Sequence, residues 1–225
     1  NNRIKNKIMT KISQYTPITT LANGDLLDVS QDTGAGTYST KSISYSDLLT
    51  QLTAAISGNA TLFGLYAQTV NSATITNTTT ETSVIGSGVG GLTVPANTFL
   101  RGDSYHAKIG GVISAQNGDD ITINIKTGST VLASTGSISL SPVTTLGWEL
   151  ELDFTIASLT ATGSMCTNGN FAYNRDTGSL EGFVFQDVQT IDTTIDNTLD
   201  ITVTWGQAKT QDQIYSANFV LFKTY

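Results

Sequence analysis

One histidine, His106, and one cysteine, Cys166, are all that the chain offers as a base or a thiolate near neutral pH. Nucleophilic catalysis of the Ser-His-Asp or Cys-His kind needs such a base held beside its nucleophile. His106 stands in "SYHAKIG" beside Tyr105, a mid-strand context that favours a structural or solvent-exposed imidazole. Cys166, in "GSMCTNGN", reads as a small buried side chain. No Gly-x-Ser-x-Gly elbow, phosphate loop or HExxH helix occurs.

Carboxylates offer a second chemistry. Glu149, Glu151 and Asp153 alternate with apolar residues in "WELELDF" and would project from one face of one strand. A glycosidase places its acid and base roughly 5–9 Å apart in a cleft, with one carboxyl in apolar surroundings. Side chains two apart on a strand are about 7 Å apart, so spacing alone permits the reading. An open acidic row is also what a solvated strand carries to discourage edge pairing, and that reading is preferred. Asp119, Asp120, Asp187, Asp192, Asp196 and Asp200 supply the hard oxygens that calcium favours. No D-x-[DN]-x-[DN]-G loop with a closing Glu frames them. The expectation is no catalytic, cofactor-binding or metal-binding residue, and no enzyme.

The third constellation is Arg101-Gly102-Asp103, the tripeptide of an adhesion motif. Its context, "VPANTFLRGDSY", reads as a strand, a tight turn at Gly102-Asp103 and the start of the next strand. Turn chemistry by itself asks for Gly and Asp there. Gly102 is expected at positive φ, Asp103 is expected to accept a local backbone N–H, and Arg101 is incidental.

Composition indicates what must position these residues. Charged residues are 13% of the 225, against a usual share of about 25%. Thr, Ser, Gly and Asn take up the difference, which suits strands and turns. A net charge of −7 argues against nucleic acid, because the eleven Lys and Arg form no basic patch. The single cysteine excludes an internal disulfide. Neither a membrane-length apolar run nor a secretory h-region is present, so no membrane insertion and no signal-peptide export are expected.

Three segments are expected. Residues 1–8, "NNRIKNKI", read as a leader before a natural start at Met9, or as a basic arm for an acidic partner. Residues 9–60 form a small module. It has a turn at Asn23-Gly24, a strand in "DLLDVSQ", a turn at Thr33–Gly36, a strand in "YSTKSISY", and a helix over Ser46–Ile56. Ser46 caps that helix, Leu48, Leu49, Leu52, Ala55 and Ile56 line one face, and Gly58 stops it. From Thr61 to residue 225 short strand-like runs alternate with turn signals, as in an antiparallel β-sandwich. The clearest is Trp148–Ile156, with Trp148, Leu150, Leu152, Phe154 and Ile156 inward and the acidic residues outward.

Residues 74–135 carry a Thr-rich "TETS" strand, a Gly-rich bend, "LTVPANTF", "GDSY", a "GVIS" strand and an "IKTGSTVL" hairpin. This pattern resembles a recurring domain at the C-terminus of bacteriophage and large-virus fibre proteins. "GDLLDVSQ", "TKSIS" and "DLL" in the first 60 residues similarly resemble a short phage virion module. The resemblance implies a jelly-roll head on a homotrimeric capsid or tail fibre, made in the host cytoplasm and carried on the virion surface. It implies an N-terminal module that attaches to a capsid or tail protein, and host-surface glycan or receptor as a further partner. The apolar "NFVLFKTY" strand would gain cover from trimeric packing. Two alternatives remain open at the level of sequence. One is a carbohydrate-binding module stacking sugar on Trp148 or Trp205, and the other is a glycan-cleaving tail enzyme using the acidic strand.

Overall fold

The computed structural model describes residues 22, 24–34, 37–51 and 64–225. Residues 1–8, Met9, Asn23, Ala35, Gly36, Leu52, Ala55, Ile56 and Gly58 lie outside the described residues. The chain divides into two compact units, Asn1–Ala60 and Thr61–Tyr225.

In the first unit a turn at residues 22–25 is closed by the Asp25 N–H on the Ala22 carbonyl (3.0 Å) and the Ala22 N–H on Asp25 Oδ2 (2.8 Å). It leads into β1 (Leu26–Gly34), which pairs antiparallel with β2 (Thr37–Ser44), Leu26 lying opposite Ser44. Helix α1 follows over residues 45–51. Its cap is Ser44 rather than the expected Ser46. The Ser44 hydroxyl accepts the Asp47 N–H (3.1 Å) and donates to Asp47 Oδ2 (2.6 Å), so the N-cap lies two residues earlier. Leu48 and Leu49 are exposed on it.

The second unit is all strand. Short segments come first: β3 (Tyr66–Gln68), β4 (Ile75–Thr76), β5 (Thr82–Ser83), β6 (Gly88–Gly90) and β7 (Thr93–Val94). The strand expected at the start of "VPANTFLRGDSY" shrinks to β7, because Pro95 has no N–H to give and Asn97 turns at φ 60°. Next come β8 (Ser104–Ala115), β9 (Asp119–Thr127), β10 (Thr130–Ser134) and β11 (Ile138–Leu140). "TVLASTGSISL" thus forms two strands, divided at Gly136 with φ 63°. Then follow β12 (Val143–Ser158), β13 (Gly163–Asn174), β14 (Leu180–Ile191), β15 (Asn197–Trp205) and β16 (Gln213–Lys223).

These strands make two antiparallel sheets. The larger runs β14-β13-β12-β8-β16-β3-β6, with β4 also on β16; the smaller runs β10-β9-β15-β5, with β11 on β9 and β7 on β15. One apolar core joins their inner faces. The smaller sheet contributes Ile121, Ile123, Ile125, Ile201, Val203 and Trp205, and the larger contributes Ile109, Leu150, Leu152, Phe171, Phe219 and Leu221. The fold is an antiparallel β-sandwich, and period-2 patterning explains it: every inward residue from Trp148 to Ile156 is buried. Glycines allow the closest approach. A Cβ at Gly111 would collide with the Tyr215 carbonyl, where β8 and β16 meet beside a bulge in β16.

β16 corrects one expectation. The apolar "NFVLFKTY" strand lies between β8 and β3, so Phe219 and Leu221 are core residues rather than uncovered ones.

Candidate functional site

The acidic strand, the histidine and the cysteine all emerge on the outer face of the larger sheet. Antiparallel register places Asp153 opposite His106 and Glu151 opposite Lys108. His106 Nδ1 lies 2.9 Å from Asp153 Oδ1, and its ring packs 5.1 Å from that of Phe222. Lys108 Nζ reaches Glu151 (2.8 Å) and Glu149 (3.0 Å) together. The Lys108 hydrogen bond, and then its charge, hold the Glu151 carboxyl below the usual range. A general acid needs the opposite shift, which burial away from cations supplies. The serine closest in sequence to His106, Ser104, bonds Thr155 Oγ1 (3.1 Å) and donates to the Gly102 carbonyl (3.1 Å).

Cys166 departs from its expected buried place. The inward positions of β13 belong to Met165 and Thr167, so Cys166 is half-buried on the outer face, opposite Thr155 and Val188. Gln186 Nε2 lies 3.7 Å from its sulfur. Both tryptophans point inward. Trp148 donates to the Tyr215 carbonyl (3.1 Å) and Trp205 to the Ile75 carbonyl (3.2 Å), which leaves neither indole face open for a sugar.

The Arg101–Asp103 turn is built around its acid. Gly102 sits at φ 94°, a region that favours glycine. Asp103 is buried. Its Oδ2 accepts the Leu100 N–H (3.0 Å) and the Tyr105 hydroxyl (3.2 Å), while its Oδ1 meets Lys223 Nζ at 2.7 Å. Burial first, and then the Asp103 charge, push the Tyr105 hydroxyl above its usual range. Arg101 is exposed. A receptor reading this tripeptide would find the arginine but not the carboxylate.

The chain matches no family model and no curated protein.

The remaining acids serve local structure. Asp192 accepts the Thr194 hydroxyl (2.6 Å) and N–H (2.8 Å), bonds that hold its carboxyl below the usual range. Asp196 accepts the Ala96 N–H (2.8 Å), Asp200 the Ser83 hydroxyl (2.5 Å), and Asp187 the N–H of Val188 (3.0 Å). Asp120 is exposed. Among the described residues no three His, Cys, Asp or Glu side chains converge as a metal site. Between the sheets lies a cavity of about 50 Å³, apolar along Leu92, Phe99, Leu132, Phe154 and Leu199. It has no room for a sugar ring.

Sequence reasoning missed two features. Leu180, Val184 and Val188 are 68%, 83% and 61% exposed, in a stripe along the outer face of edge strand β14. Asp212, never singled out, is buried beside Asp119 and Lys209. The first carried a weak signal, the i, i+4, i+8 spacing of aliphatics. The second carried none.

Proposed function

We propose that this protein is a structural, non-enzymatic component of a virus particle: a homotrimeric capsid or tail fibre. In this reading its sandwich is a jelly-roll head for host contact, and the first 60 residues attach it to the particle. The observation that carries the proposal is the apolar stripe on β14. A long edge strand whose outward positions carry exposed aliphatics and no charge is an aggregation hazard unless another chain covers it. The opposite edge of the same face carries Val89, exposed, with Val220 and Phe222 half-buried beside it. A closed ring of head-to-tail contacts buries both stripes at once, whereas a twofold contact between like stripes covers one. The central belt of Glu149, Glu151, Asp153, Lys108 and His106 is internally paired, consistent with a display surface rather than a reaction centre.

Native mass spectrometry of the full chain at micromolar concentration tests this. Three copies per particle are expected, and Val184→Asp with Val188→Asp should return monomers. A wild-type monomer, or a trimer indifferent to both substitutions, would refute the assignment of the β14 stripe.

A further inference from the structure

Two crossovers between the sheets meet at one end of the sandwich. Residues 115–119 carry the chain from β8 to β9, and residues 205–213 carry it back from β15 to β16. Backbone bonds tie both to their surroundings: the Gly206 N–H reaches the Asp120 carbonyl (2.8 Å), and the Asn77 N–H reaches the Lys209 carbonyl (3.1 Å). Three charged side chains converge between them. Asp119, on the first crossover, is buried. Its Oδ2 accepts the Gln116 N–H (3.0 Å) and its Oδ1 is bonded by Lys209 of the second crossover. Asp212, on the same crossover as Lys209, is 1% exposed and within hydrogen-bonding reach of Asp119. Its Oδ1 has no hydrogen-bond partner.

A buried carboxylate oxygen without a donor is costly, and a second carboxylate beside it makes it more so. One lysine cannot neutralise both. A proton on Asp212 resolves the arrangement, because the resulting hydroxyl donates to Asp119 and one positive charge then balances one negative charge. We infer that Asp119 and Asp212 hold one proton between them, making the meeting of the two crossovers a latch that loosens when that proton is lost.

The electrostatics agree with the geometry. Burial, followed by the hydrogen bond and charge of Asp119, pushes the Asp212 carboxyl up to about 6. Burial also opposes the Asp119 charge, but bonds from Lys209, Asp212 and the Gln116 N–H together outweigh it and hold that carboxyl below the usual range. Lys209 is raised by Asp119 and stays protonated. Asp119 and Lys209 are the charged groups that face Asp212; the neighbouring β4 segment brings only Thr76 and Asn77. The folded chain keeps the Asp212 proton up to about pH 6, while the unfolded chain releases it in the ordinary carboxyl range. Within that window the folded state holds the extra proton, so stability falls as pH rises through it. Asp119 acts in the opposite sense, and its contribution is lost only below the ordinary range.

The test is thermal unfolding of the full chain and of Asp212→Asn at pH 5.0 and 7.5. Asn is the neutral isostere of the protonated acid, and its amide can donate to Asp119. The wild-type Tm should drop by about 5 °C between the two values, and the variant should show less than half of that drop. The two proteins differ at this one side chain, so the difference in slope isolates Asp212. A carbon-13 titration of the wild type gives an independent reading, with one Asp carboxyl expected to titrate near 6. If no Asp carboxyl titrates above 5, or if the variant keeps the full slope, the latch is refuted. A rise in wild-type Tm on adding calcium chloride at pH 7.5, absent in Asp212→Asn, would also overturn it by making the pair a cation site.

Discussion

The two ends of the β8–β16 ladder are built from the same parts and balanced differently. Because the strands are antiparallel, the residue before β8 meets the end of β16, and the residues after β8 meet the approach to β16. At one end buried Asp103 pairs with Lys223 and takes two further donors. At the other, buried Asp119 pairs with Lys209 and takes one backbone donor, but Asp212 adds a second acid. Both ends clamp a chain reversal by burying a carboxylate under a lysine. The first has a donor for each carboxylate oxygen, and the second is complete only with a proton. Burying an acid does not make a pH sensor; a surplus acid does.

The largest expected effect breaks the complete end. Asp103→Ala strands the Leu100 N–H, the Tyr105 hydroxyl and the Lys223 ammonium together, and should cost about 3 kcal/mol in urea denaturation. A loss below about 1 kcal/mol would mean that the pair contributes little and that the two ends differ less than their geometry implies. Gly102→Val should cost about 1–2 kcal/mol, because a β-branched residue is strained at φ 94°. A Cβ there meets only the Tyr225 ring at 3.6 Å, so any larger loss would point to backbone rearrangement rather than crowding. Arg101→Ala should be smallest, within about 0.5 kcal/mol, and host-cell binding should be unchanged. Loss of binding with an unaltered Tm would give the tripeptide back its adhesive reading.

Much of this was legible along the strands and little of it across them. Alternation in "WELELDFTI" assigned the buried and wet faces of β12 correctly, since a period of two leaves one choice once Trp148 is inside. The Gly102-Asp103 turn was legible because its demands are local. The helix cap was displaced because Ser44 and Ser46 both suit the role, and Asp47 decides for Ser44 by lying three residues on. Cys166 was misplaced because "GSMCTNGN" has no clear apolar phase. In "LEGFVFQDV" both phases are apolar, with Phe183 and Phe185 packed toward the core and Val184 and Val188 outside, so pattern alone names no exposed side. The meeting of Asp119 with Asp212 depends on a pairing across the sheet that no short window contains.

The central place of β16 has a consequence for how the chain folds. Until residues 213–223 are in place, the larger sheet is two pieces, β14-β13-β12-β8 on one side and β3-β6 on the other. Each piece presents an unpaired strand edge toward the gap. The sandwich therefore cannot close until β16 is in place, and inserting that late strand between two earlier ones is expected to be slow, as non-local pairings are in β topologies. A chain stopped at residue 212 would keep every residue of the β12 alternation and still expose two sticky edges, so it should aggregate rather than form a smaller sandwich.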